Sequence, residues 1–201
     1  MIILALETSG GRCSAAVLRE GEIIAYKLLE AVNKQAEESI TIISETLTHA
    51  GITLQEVDYL AACLGPGSFT GIRVGIAALE GIGLAIEKPI IGVSSLECLA
   101  CGYSEKIVCA LAAGRDQYFV QKFLSGMAVN EISIVDASEM LIYADDAKII
   151  GNFVNQTLPD AKMLAYAAYS YAQNPNFQPA VTLAPIYVRE VSIGGKDNSR
   201  A

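Results

Sequence analysis

Residues 64–86 read LGPGSFTGIRVGIAALEGIGLAI. The apolar run YLAACL leads in, two glycines flank a proline, and Ser68, Thr70 and Gly71 open a helix made largely of small residues. A residue without a Cβ lets one backbone approach another closely, and a Ser just before a helix caps its free N–H groups. The segment therefore demands a strand, a tight loop and a helix that something approaches at short range. That something is a nucleotide phosphate or a second helix. Gly71, Gly75, Leu79 and Gly83 recur every fourth residue, with Ala77, Gly81 and Ala85 on a neighbouring face. A glycine inside a helix costs about 1 kcal/mol of propensity, which tight packing offsets.

The rest of the chain reads as a two-part α/β layout. MIILALET is a first strand ending at Glu7 and Thr8, with a turn at Ser9, Gly10 and Gly11. Residues 13–18 and 23–28 are two more strands joined by a Glu20–Gly21 hairpin turn, which predicts an antiparallel meander. Residues 33–50 form a helix whose stripe is Ala36, Ile40, Ile43, Leu47 and Ala50, stopped by Gly51. Ile42 lies off that stripe, where it widens the face or leaves a patch for a partner. Residues 58–64 and the run IIGVS are strands, and Ser94 or Ser95 caps a short helix at 96–100.

The polar link at 102–106 marks a domain boundary. Beyond it come strands at 107–113, 117–124, 129–135 and 148–151, and helices at 137–143 and 159–173. The expectation is one domain over 1–102, a smaller one over 103–191, and a disordered tail at 192–201.

Charge and composition narrow the partners. With 14 Lys and Arg against 22 Asp and Glu, the net charge is -8, unsuited to direct binding of a polyanion. Arg12, Arg73 and Arg115 are the basic residues placed nearest a cleft. The five cysteines are an odd number set mostly in apolar runs, as buried free thiols are. Glu80, Glu87 and the glycines interrupt the longest apolar stretch, and no basic-apolar leader opens the chain. These features predict a cytoplasmic protein with no membrane association.

Two segments qualify as phosphate sites. In the loop Gly65, Pro66, Gly67, Ser68, Phe69, Thr70, Gly71 and Arg73, a helix N-terminus offers free N–H groups. It lacks a Gly-Lys-Ser/Thr ending and so is not a P-loop; a capped turn built for close packing is the expectation. The second candidate is Glu7, Thr8, Ser9 and Gly10, where a strand-end acid would hold a metal through water and the turn would wrap phosphates. Its Glu reaches one methylene further than Asp, which makes it a degenerate site. His49 is the single histidine, and Cys98 and Cys101 have no second pair, so neither a metal centre nor a catalytic residue is expected.

ILALETSGGRCSAAV, then QAEE, then LGPGSFTGIRVGIAALEGIGLAIEKPIIGVSSLECLA resembles the TsaB (YeaZ) family. ALAAGRDQYFV and APIYVRE continue the likeness in place and kind. The resemblance implies a two-domain actin/Hsp70/sugar-kinase-like (ASKHA) α/β fold, each domain a five-stranded mixed sheet with flanking helices. It implies an accessory subunit, without catalysis of its own, that activates a TsaD-type catalytic subunit. That subunit forms N6-threonylcarbamoyladenosine at position 37 of tRNAs reading ANN codons. A TsaE-type ATPase joins, ATP and a divalent metal serve the complex rather than this chain, and tRNA is met only through the complex. Without the partner a homodimer forms.

The resemblance puts the interface on helices 33–50 and 70–87, through Gln35, Glu38, Ile42, Leu47, Gly71, Gly75 and Leu79. The chain departs from the family pattern at Glu7, where Asp is usual, and at Gln35, where His is common. Ala112, Ala113 and Gly114 replace an Asp–Ala–Arg run, with Arg115 one place late. The competing reading is an ATP-binding small-molecule kinase or ATPase of the same superfamily.

Overall fold

The computed structural model describes residues 1–30 and 35–188. The meander forms as the turn chemistry requires: β1 (Ile2–Glu7), β2 (Cys13–Arg19) and β3 (Glu22–Leu29) pair antiparallel. Glu20 and Gly21 both take positive φ between β2 and β3, the twist that suits a two-residue hairpin. Helix α1 (Gln35–Ala50) leads to β4 (Tyr59–Cys63), α2 (Phe69–Ile86) and β5 (Ile90–Val93). β4 and β5 add in parallel, giving the order β3-β2-β1-β4-β5. Helix α3 (Ser95–Ala100) starts on a capping box between Ser94 and Glu97, each side chain holding the other residue's N–H.

The second lobe repeats the scheme. β6 (Ile107–Gly114) and β7 (Gln117–Leu124) form a hairpin, followed by β8 (Met127–Ala128), β9 (Ser133–Asp136), α4 (Met140–Ala144) and β10 (Lys148–Gly151). The order is β10-β6-β7-β8, with β9 also on β7. Of the strand expected over 129–135 only β9 forms, from Ser133, with the short β8 lying before it. Asn130 lies between β8 and β9, and its Oδ1 accepts the Lys122 N–H at 2.7 Å, a side chain standing in for a ladder carbonyl.

Alternation along β1 sets the layers. Leu4 and Leu6 face α1 and α2, while Ile3 and Ala5 face a cluster closed by α5 (Ala161–Ala172). In the second sheet Cys109 and Leu111 pack on α3, and Val108 and Ala110 on α4. The α3 helix gives Cys98 to one lobe and Leu96 and Leu99 to the other, tying them together.

The packing runs across the expected boundary at residue 102 in both directions. The second sheet follows that boundary, but α5 covers the first sheet, because the face of Ile3, Ala5, Ala16 and Leu18 would otherwise meet water. The chain then returns along the first lobe: Ala180 exchanges both backbone hydrogen bonds with Ile90, and Ile186 N donates to Leu64 O at 2.8 Å. The described residues after 102 therefore pack on both sheets. The expected tail at 192–201 and the helix start at Asn33 and Lys34 lie outside the described residues.

Candidate functional site

The glycine-rich loop is occupied by its own chain. β1 ends at Glu7, and the turn Thr8–Ser9 lies directly on the start of α2. Ser68 N donates to Ser9 O at 2.8 Å, and Thr8 Oγ1 donates to Gly71 O at 2.7 Å. Ser68 caps α2 by accepting the Gly71 N–H. A Cβ at Gly67 would stand 2.6 Å from Ser9 O, and one at Gly71 would land on the Thr8 carbonyl oxygen. The close approach that the sequence demands is real, and neither a phosphate nor a second helix makes it. The strand-end turn does.

The Glu7 carboxylate is buried and turned inward. Its Oε1 accepts the Ser9 N–H at 2.6 Å and a short hydrogen bond from Ser9 Oγ. Burial lifts the Glu7 carboxyl from 4.5 to about 8, the neighbouring Cys63 adding to the rise and the Ser9 bonds opposing it. Ser9 Oγ also lies 3.1 Å from Ser95 Oγ, which lies 3.1 Å from Cys63 Sγ.

Of the four nucleotide-site candidates, Glu7 and Thr8 thus face the interior. Ser9 and Gly10 line a cleft of about 250 Å³ shared with Pro66, Ser68, Ala112 and Asn152, short of the roughly 300–1,000 Å³ typical of ligand sites. Among the described residues no group of three or more metal-ligating side chains converges.

Arg73 does not point into that cleft. Its guanidinium stacks 3.7 Å from the Phe69 ring centroid, and its Nε donates to Tyr187 Oη at 3.0 Å. It pins the C-terminal return to α2. Arg12 pairs with Glu30 at 3.6 Å, and Arg115 sits in the exposed β6–β7 turn.

The structure places most of the expected helix-interface residues inside the first lobe. Ile42 and Leu79 are 0% exposed inside the first-lobe core, and Leu47 is buried beside them. Gly71 and Gly75 face Thr8. None of these except Leu47, which lines a groove, reaches a surface. The buried stripe of α1 is Ser39, Ile42, Ile43, Thr46 and Leu47, whereas Ile40 is 55% exposed. Glu38 is half-buried at the helix start, and the Gln35 side chain lies outside the described residues.

The outward face of α2 is the neighbouring small-residue stripe Ala77, Gly81 and Ala85, beside Leu84, which is 79% exposed. Between α1 and α2 runs a groove of about 450 Å³ lined by Ile40, Leu47, Ile52 and Ile82 among others. Ile40, expected on the inner stripe of α1, is thus on its outer face, and period-four spacing along α2 does not show which of its two small-residue stripes faces out.

Two lobes on mixed five-stranded sheets with flanking helices, closed on a strand-end turn, define a protein of the actin/Hsp70/sugar-kinase fold. The family model described as "TsaD: tRNA N6-adenosine threonylcarbamoyltransferase" matches residues 29–173, and the chain belongs to that family. Within it the likeness is to TsaB. The chain is 37% identical over 102 residues to the tRNA threonylcarbamoyladenosine biosynthesis protein TsaB of Escherichia coli K12, covering 51% of this chain and 44% of that protein. It is 41% identical over 100 residues to TsaB of Buchnera aphidicola subsp. Schizaphis graminum, covering 49% and 47%. It spans about half the length of these curated relatives. A solved structure, YeaZ from Pseudomonas aeruginosa, superposes with a TM-score of 0.76 at 23% identity, over 92% of this chain and 99% of that one.

Proposed function

We propose that this chain is an accessory subunit, without catalysis of its own, that docks on a TsaD-type catalytic subunit and supports threonylcarbamoyl transfer to tRNA adenosine. The observation that carries the docking reading is the outer face of α1 and α2. There Leu84 and Ile40 stand exposed beside the small residues Ala77, Gly81 and Ala85. Apolar side chains next to small ones suit a partner helix laid close along the groove. Length and composition alone would let α2 cross a membrane, but a third of its residues are buried in this chain, seating it on the sheet. The remaining apolar surface is what a partner covers.

In this reading ATP and a divalent metal act in the complex, and a TsaE-type ATPase joins it. A second copy takes the same face when the partner is absent. A charge of -8 leaves tRNA to the partner's surface. The strand-end turn supports the reading against a kinase or ATPase, because the Glu7 carboxyl is spent on Ser9.

Co-purification with a tagged TsaD-type subunit tests it. Leu84→Asp is expected to abolish capture and the stimulation of tRNA modification. Its melting temperature stays near that of the parent, as for a surface change of about 0.5 kcal/mol or less. Undiminished capture of Leu84→Asp and of Gly81→Trp would place the partner elsewhere.

A further inference from the structure

Two glycines of α2 face one side chain. Thr8 follows β1, is 2% exposed and packs against the first two turns of the helix. Its Oγ1 donates to Gly71 O at 2.7 Å. A Cβ at Gly71 would strike the Thr8 carbonyl oxygen, and one at Gly75 would strike Thr8 Oγ1 itself. Residues four apart stand one above the other on a helix. Gly71 and Gly75 therefore form a notch, and the threonine side chain fills it.

The contact fixes α2 along its axis as well as across it. Apolar packing has no direction of its own, whereas a hydroxyl that bonds one chosen carbonyl selects which residue of the helix stands over the turn. A slip of one residue turns an α-helix by about 100° and moves it by about 1.5 Å. Because the helix is continuous from Phe69 to Ile86, a shift at Gly71 carries through to Leu84. Other ties are looser or lie outside the helix. Ser68 N donates to Ser9 O just ahead of it, and Glu80 reaches Leu183 N through a long side chain. The Thr8 bond, by contrast, is made to the backbone of α2 itself.

We propose that Thr8 is a positioning residue for the docking face: its hydroxyl, keyed into the Gly71–Gly75 notch, sets the rotation and axial position at which α2 presents Ala77, Gly81, Leu84 and Ala85 to the partner. The proposal rests on the docking reading above. It gives Gly71 and Gly75 a role behind the interface instead of within it.

Thr8→Val keeps the side-chain shape and removes the donor, whereas Thr8→Ser keeps the donor. Two readouts on the full chain test them. The backbone amide resonances of residues 77–85 report the position of α2 without any partner. They are expected to move in Thr8→Val and to return in Thr8→Ser. Affinity for the TsaD-type subunit reports the consequence. Thr8→Val is expected to weaken it about tenfold, on the order of one lost hydrogen bond, and Thr8→Ser to restore it. Gly75→Ala, which crowds the hydroxyl from the helix side, should act as Thr8→Val does. Leu164→Ala opens a cavity under α5, and should lower the melting temperature while leaving both readouts unchanged. Four results would overturn the proposal: unmoved resonances in Thr8→Val, parental affinity in Thr8→Val while Leu84→Asp loses capture, no rescue by Thr8→Ser, or an equal loss of affinity in Leu164→Ala. Undiminished capture of Leu84→Asp would overturn the docking reading and the proposal with it, and the resonances would still report whether Thr8 holds α2.

Discussion

At Glu7 one carboxyl does two things that sequence position alone does not reveal. It closes its own turn through Ser9, and it does so out of water. Its acidity follows: the native state keeps a proton that the unfolded chain loses above about 4.5. The Glu7 contribution to stability is therefore largest at low pH, declines between about 4.5 and about 8, and is constant above. Glu7→Gln keeps the acceptor for Ser9 and removes the titration. Thermal melts across that window should show a decline for the parent that the variant lacks, on the order of a few kcal/mol. The glycines of α2 divide the same way. Gly71 abuts the Thr8 carbonyl, whereas nothing lies within 4 Å of a Cβ at Gly81. Gly71→Ala should cost about 2 kcal/mol or more through overpacking, while Gly81→Ala should gain up to about 1 kcal/mol of helix propensity. Urea unfolding of the two variants separates them, and equal effects would contradict the packing described. The sequence announced the close approach, but the partner turn is 63 residues away from Gly71, and spacing along a chain does not report such contacts.

Among the elements, α1 shows how a helix face is misread. Two apolar stripes compete at spacings of three and four, one through Ile40 and one through Ile42. The stripe that wins includes Ser39 and Thr46, both buried. Thr46 is tolerated there because its hydroxyl donates back to Ile42 O at 2.6 Å, satisfying the group within the helix. Polar residues on the inner face disguised it, and apolar Ile40 on the outer face made the wrong stripe look continuous. Ile42→Ala is expected to cost about 2–5 kcal/mol, and Ile40→Ala about 0.5 kcal/mol or less, in denaturant unfolding. A reversed order would mean that α1 sits rotated on its sheet. The caps and turns were legible because their chemistry is local: Ser94 caps α3, and Glu20–Gly21 makes the first hairpin.

For the molecule as a whole, α5 decides where one lobe ends. It is anchored across the chain, Ala161 N donating to Ser14 Oγ at 3.0 Å over a separation of 147 residues. Its alanines Ala161, Ala165 and Ala168 let it lie close on β1 and β2. A chain ending at residue 158 would expose the face of Ile3, Ala5, Ala16 and Leu18. Such a chain should lose cooperative urea unfolding, because that apolar face is worth roughly 25 cal/mol for each Å² returned to water. A sharp transition at the parent's midpoint would show that the first lobe stands without α5.

The sequence by itself determined the strands of the first sheet, the hairpin turns, the capped helix starts and the need for a close approach at Gly67 and Gly71. It also carried the likeness to the TsaB family. All of these rest on neighbours within a few residues, or on a motif read whole. Tertiary structure alone decided what fills the glycine loop, which stripe of each helix meets the sheet, and that the last helix crosses back to the first lobe. Each of these depends on apolar burial between segments far apart in the chain. That attraction has no direction of its own, so a pattern along one segment cannot name the surface that will cover it.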